Sequence, residues 1–133
     1  MPLPRFITAS QAQTEALPWG SLDWLCRAGM VEAEKLQLVH VRIAPGQGHA
    51  FHKHPEMEEI IYVLEGKCEQ WVEREKRILG PGDVVHIPIG VVHCSYNNGA
   101  VPLRVLAILS PAKITGPAMV DVSQEEPWKS LRG

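Results

Sequence analysis

The sequence has no apolar run near the ~20 residues that a membrane-crossing helix requires, so no spanning helix is expected. It also lacks an excess of positive charge. Thirteen Lys and Arg against 15 Asp and Glu give a net charge of −2, and without a basic face neither nucleic acid nor an anionic membrane is an expected partner. Cysteine is scarce: Cys26, Cys68 and Cys94 are an odd number with no C-x-x-C spacing. A disulfide framework and knuckle-type zinc sites are therefore not expected. Internal repeats, low-complexity linkers and long amphipathic helices are missing as well. Met1 to Gly20 carries Arg5 but no continuous apolar segment of the secretion-signal kind, so a cytoplasmic location with reduced thiols is expected.

What remains is the composition of an ordinary soluble globule, 45% hydrophobic and 21% charged. A chain of 133 residues suits one domain with one core. Eleven prolines and eleven glycines point to many corners between short strands. Residues 1–18 carry little periodicity and read as an irregular arm. Leu22, Trp24 and Cys26 alternate with polar neighbours. Leu36 to Ile43 alternates more cleanly, with Val39, Val41 and Ile43 on one face. Further strands are expected at Ala50–His54, Glu59–Leu64, Lys67–Val72, Val84–Ile87, Val92–Tyr96 and Leu103–Leu109. Glu73 to Lys76 reads as a hairpin tip and Gly80-Pro81-Gly82-Asp83 as a turn. Asn98-Gly99 has the chemistry of a tight hairpin. Pro111 to Gly133 is a polar tail with one short apolar stretch, Met119 to Val122. Many short strands at even spacing imply an antiparallel sandwich or barrel.

Two stretches carry chemistry. The first reads G-x5-H-x-H-x4-E-x6-G through Gly46, His52, His54, Glu59 and Gly66; the second reads G-x5-P-x-G-x2-H-x3-N through Gly82, Pro88, Gly90, His93 and Asn97. His52 and His54, two apart, present both imidazoles to one face of a strand. Strand periodicity leaves Glu56, Glu58 and Glu59 open as acidic partners, because Ile60 to Leu64 is apolar on both faces. The odd separation of His54 from Glu59 requires a break in the strand, and Pro55 stands where one is needed.

At these positions and spacings the chain resembles the cupin family, whose two signature motifs match without a gap or substitution. The resemblance implies an all-β, single-domain cupin barrel, a double-stranded β-helix of jelly-roll type. The barrel core would run over about 36–111, with an N-terminal arm (1–35) and a C-terminal tail (112–133) completing one domain over 1–133. It selects Glu59 among the three acids, and implies that His52, His54, Glu59 and His93 hold one divalent transition metal. That mixed nitrogen and oxygen set suits Mn, Fe, Co, Ni, Cu or Zn and disfavours calcium and magnesium. The resemblance also implies a homodimer and a small-molecule ligand or substrate. Glu59 would double as a catalytic proton acceptor.

The function expected is a metal-dependent enzyme of the oxygenase type acting on a small organic molecule. The alternatives are a non-catalytic metal- or ligand-sensing module and a sugar isomerase or decarboxylase. His86 and Tyr62 are further acid–base candidates, better read as packed or rim side chains. His49 reads as an exposed loop residue ahead of the H-x-H pair. Arg42 and Arg104 are cations that an anionic substrate would call on. Cys94, adjacent to His93 on a strand, should face away from any metal. Of the four tryptophans, those near the ends, Trp19, Trp24 and Trp128, are candidates for a subunit interface.

Overall fold

The computed structural model describes residues 2–132. Its strands are β1 (Gln13–Leu17), β2 (Gly20–Cys26), β3 (Gln37–Ile43), β4 (Gly48–Lys53), β5 (Glu58–Glu65), β6 (Cys68–Val72), β7 (Glu75–Leu79), β8 (Val84–Ile87), β9 (His93–Tyr96), β10 (Leu103–Ser110) and β11 (Val120–Asp121), followed by one helical turn, α1 (Trp128–Leu131). They form two antiparallel sheets, ordered β1-β2-β3-β10-β5-β8 and β11-β4-β9-β6-β7. This is the all-β jelly roll that the family resemblance implies.

Alternation decides what faces inward. Along β5 burial runs strictly odd and even, with Glu59, Ile61 and Val63 buried and Glu58, Ile60 and Tyr62 exposed. β10 repeats the pattern through Leu103, Val105, Ala107 and Leu109. These residues meet Val39, Val41 and Ile43 of β3 in a core between the sheets. A second apolar cluster covers the outer side of the smaller sheet, where Phe51, Trp71, Val92, Cys94 and Val122 pack under Trp128 and Leu131 of α1. Cys94 thus faces away from the barrel interior, as strand parity requires. Behind α1, buried Glu69 accepts hydrogen bonds from Trp71 Nε1 (2.6 Å) and Arg132 Nε (2.7 Å), and also from Asn98 Nδ2. Burial acts to raise its carboxyl, and these donors outweigh burial and hold it below its ordinary range.

The structure departs from the sequence expectations at several points. Residues 13–17, expected as irregular arm, form β1, an edge strand that pairs from Gln13↔Trp24 to Leu17↔Gly20. Its residues are mostly exposed, so no apolar alternation could mark it. The β6–β7 hairpin is tighter than expected, with only Glu73-Arg74 at its tip and Glu73 at φ 54°. Asn98-Gly99 makes no hairpin. β9 and β10 lie in different sheets, and the chain between them crosses the barrel end. Buried Asn97 secures that crossing: Nδ2 donates to the carbonyls of Ile43 and Val101, and Oδ1 accepts from Gly99 N–H. The tail is also ordered, since Val120–Asp121 pairs with Lys53 and His52 of β4.

Gly46, Gly66, Gly82 and Gly90 all adopt positive φ. Gly66 shows why that corner admits no side chain. At φ +87°, an added Cβ would also stand 2.9 Å from the carbonyl oxygen of Pro102.

A candidate metal centre at one end of the cavity

The two sheets supply the two halves of the site. β4 and β9 are neighbours in the smaller sheet, with His52 opposite His93, so both imidazoles project from one face. After His54 the chain turns at Pro55-Glu56, closed by a Met57 N–H to His54 carbonyl contact of 3.4 Å, and enters β5 of the larger sheet. Glu59 therefore arrives from the facing sheet, which is how an odd separation brings it to the histidines. The loop carrying Pro88 and Gly90 is tied to the same place, because Gly90 N–H donates to the His54 carbonyl at 3.0 Å.

All three imidazoles are held in the same way. The Nδ1 atoms lie against backbone carbonyls: His52 on Ala50 (2.7 Å), His54 on Ala118 (2.8 Å) and His93 on Val91 (2.9 Å). A carbonyl only accepts, so each Nδ1 carries the proton and each Nε2 is left as a donor atom for the interior. Metal-ligating histidines are commonly anchored in this fashion. The available ligand atoms of His52, His54 and His93 lie within 4.8 Å of one another. Glu59 Oε1 lies 3.0 Å from His93 Nε2 and 3.3 Å from His54 Nε2. Yet neither Glu59 Oε1 nor His93 Nε2, both buried, completes an aligned hydrogen bond. Buried polar atoms that converge without satisfying one another fit a site whose missing partner is a cation.

Electrostatics follow from this packing. Burial acts to raise the Glu59 carboxyl, but His54 and His93 beside it outweigh burial and hold it ionised, well below its ordinary range. For His54 burial acts downward, and the contact with Glu59 prevails and raises it. Burial, reinforced by the neighbouring histidines, lowers His52 far below its usual value and His49 to about 4. Neutral imidazoles and one carboxylate are the forms a divalent metal binds. Burial pushes the Cys68 thiol up to about 11, and no cysteine is among the described residues lining the cavity.

Placement of the other candidates corrects the sequence reading. His49 is on β4, not in an exposed loop, and it lines the cavity beside the histidines. A bulge between His49 and His52 opposes three steps of β4 to two of β9, which turns both residues inward although their separation is odd. His49 stacks on His52 with ring centroids 3.6 Å apart, and Trp19 stacks on its other side at 4.8 Å. Trp19 and Trp24, considered for a subunit interface, line the cavity. Tyr62 is exposed on the outer face of β5, and exposed His86 sits 3.3 Å from Glu58. Neither lines the cavity. Arg42 and Arg104 also lie outside it, gathered around Asp23 and His40.

The cavity holds about 330 Å³, at the small end of the range for ligand pockets. Apart from the histidines, Glu59, Ser95, Gln37 and the unpartnered Nε1 of Trp24, its wall is largely hydrocarbon from β2, β3, β5 and β10. The tail completes the rim with Ala112, Ile114, Ala118 and Met119. Glu56 fastens this segment, accepting from Gly116 N–H at 2.6 Å and from Thr115 N–H at 3.3 Å. Sequence reasoning missed the contribution of the tail, because no periodicity announces a strap. Ser95 was legible by parity, two residues beyond His93 on the same strand.

Comparison with known proteins agrees with this geometry. The profile of the cupin domain matches residues 39–109. Mannose-1-phosphate guanylyltransferase ManC of Salmonella typhimurium strain LT2 is 28% identical over 93 residues, 70% of this chain. The chain spans only 18% of that protein's length. Tetracenomycin polyketide synthase protein TcmJ of Streptomyces glaucescens is 32% identical over 92 residues, covering 69% of this chain and 62% of that protein. Among solved structures, the formate complex of Lactobacillus farciminis oxalate decarboxylase superposes with a TM-score of 0.81 at 22% identity, over 93% of this chain and 37% of that one. At that identity the likeness speaks for the fold alone. With both motifs, the barrel and the domain profile in agreement, the chain belongs to the cupin family.

Proposed function

We propose that the protein is a metal-dependent enzyme of the oxygenase type acting on a small organic molecule, with His52, His54, Glu59 and His93 holding one divalent transition metal. The observation that carries this reading is the cluster of His52, His54 and His93, each with its Nδ1 tied to a carbonyl, with His54 and His93 Nε2 set against an unsatisfied Glu59 Oε1. A transition metal held there would supply a Lewis acid and, where redox-active, a relay of electrons between substrate and dioxygen. Glu59 is the anionic member of the set and the nearest base for a proton released by a bound substrate. The apolar wall excludes water and admits uncharged molecules, dioxygen among them. Beyond Glu59 and the histidines the deep cavity offers little acid–base equipment, which favours redox chemistry over isomerisation. Sugar phosphates and small dianions suit it poorly, since no Lys or Arg is among the described lining residues.

In this reading the protein works as a cytoplasmic homodimer of single-domain chains. Its three cysteines are free. Ile60, Tyr62 and Val84 are 38%, 41% and 57% exposed on the outer face of the larger sheet, an apolar area suited to a second copy. Among the described residues no helix is long and apolar enough to cross a membrane.

The test is reconstitution with Mn, Fe, Co, Ni, Cu or Zn, followed by elemental analysis and an oxygen electrode. The reading expects dioxygen uptake matched to loss of substrate with a redox-active metal, and none with zinc. Product formed equally under argon would favour a decarboxylase or isomerase. Saturable binding without turnover would favour a sensing module.

A further inference from the structure

The cavity wall describes the molecule it takes. Six residues, Leu22, Val39, Val41, Ile43, Val105 and Ala107, give it a hydrocarbon side. Apart from the histidines, the ionisable side chains lining it are Glu59 at the inner end and Glu15 on exposed β1. A second anionic group on a ligand would find no counter-charge here and would lose its hydration on entry.

Ser95 adds a directional contact. Its Oγ lies 2.6 Å from Gln70 Oε1, and that same oxygen is 3.5 Å from Cys68 Sγ. Gln70 Nε2 donates to the Trp71 carbonyl at 3.1 Å. A backbone carbonyl only accepts, so the amide cannot be turned round without losing that bond. The Gln70 oxygen therefore faces Ser95 and Cys68 as an acceptor, and the Ser95 proton is committed to it. What Ser95 retains is acceptor capacity. It is 6% exposed, lines the cavity, and follows His93 by two residues on the same face of β9.

We propose that the ligand is a small molecule with one polar head for the histidine and Glu59 end, an apolar body about one ring in size, no further charge, and an O–H or N–H group that donates to Ser95. This rests on the metal-centre reading and narrows it to a substrate class.

Hydroxamic acids test it, because one head can be carried on different bodies. Binding is read in two ways: by the visible bands of the cobalt-substituted protein, and by quenching of tryptophan fluorescence, since Trp19 and Trp24 line the cavity. Benzohydroxamic acid should bind at least about tenfold more tightly than acetohydroxamic acid, which lacks the apolar body. It should exceed 4-carboxybenzohydroxamic acid and oxalate by at least a similar ~10-fold margin. Ser95→Ala should weaken benzohydroxamic acid by about fivefold, the range of one hydrogen bond. N-methylbenzohydroxamic acid has no N–H donor, so Ser95→Ala should leave its binding unchanged. On the wild-type protein the same pair of probes reads the donor without any substitution. Equal affinity for the phenyl, methyl and carboxylated probes would overturn the ligand class. Equal loss of both phenyl probes in Ser95→Ala would overturn the role of Ser95. Failure to retain cobalt would count against the metal-centre reading instead, and the fluorescence series on metal-free protein would then decide the ligand class alone.

Discussion

Replacing Glu56 with alanine should weaken metal binding although Glu56 is no ligand. Its carboxylate holds the tail through Gly116 N–H at 2.6 Å, with Thr115 N–H and Oγ1 each at 3.3 Å. Two residues further on, the Ala118 carbonyl accepts the Nδ1–H of His54, and Met119 Sδ meets His49 Nε2 at 3.2 Å. Releasing the strap frees the ring of His54 to rotate and removes the partner that fixes its tautomer. Outer partners of this kind are typically worth roughly 10–100-fold in metal affinity. The lower end applies here. Ala112 N–H still bonds the Glu34 carbonyl, Lys113 still reaches Glu34, and β11 still pairs with β4, so the segment loosens without leaving. The dissociation constant for cobalt or zinc, measured by competition with a chromophoric chelator, should therefore rise about tenfold for Glu56→Ala. Glu56→Gln, which keeps one acceptor oxygen, should fall between Glu56→Ala and wild type, and exposed Glu58→Ala should match wild type. Affinity within about twofold of wild type for Glu56→Ala, with hydrogen exchange showing the 112–118 segment released, would refute the claim that the tail orients His54.

Near-stoichiometric retention of one transition metal per chain is expected by elemental analysis, with His52→Ala, His54→Ala and His93→Ala each losing at least about tenfold in affinity and His40→Ala none. Glu59→Gln should shift the d–d bands of the cobalt protein while Glu58→Gln leaves them in place, because Glu58 points to the outer face beside His86; the reverse outcome would mean that β5 is read one residue out of register. Light scattering after size exclusion should report about twice the 14.8 kDa chain mass, falling to one chain mass for Tyr62→Glu, and a wild-type monomer would sink the dimer. Leu103→Ala, at a fully buried core position, should cost about 2–5 kcal/mol in denaturant unfolding; a loss well below that range would mean the core relaxes around the gap.

The sequence by itself determined the strand framework and the composition of the site. Period-two alternation in β3 and β10 marks their buried faces, and the motif spacing, matched to the cupin family, offers His52, His54, Glu59 and His93 as the candidate ligands. The motif glycines mark corners, and their positive φ values show why those positions take no side chain. Three things stayed beyond it. Apolar residues on both faces of Ile60 to Leu64 left the register of β5 open, and it was decided by which face of the larger sheet turns to the interior, where Ile61 and Val63 join the inward residues of β3 and β10. The inward turn of His49 depends on a bulge created by pairing β4 with β9, a property of two strands together that neither contains alone. Asn98-Gly99 has hairpin chemistry, but its flanking strands belong to opposite sheets. Local propensity is worth a few tenths of a kcal/mol to about 1 kcal/mol per residue, whereas closing a barrel buries whole strand faces. Where the two disagree, the tertiary packing prevails. The same holds for the tail, whose rim over the cavity rests on Glu56 and β4, partners about 60 residues away in the chain.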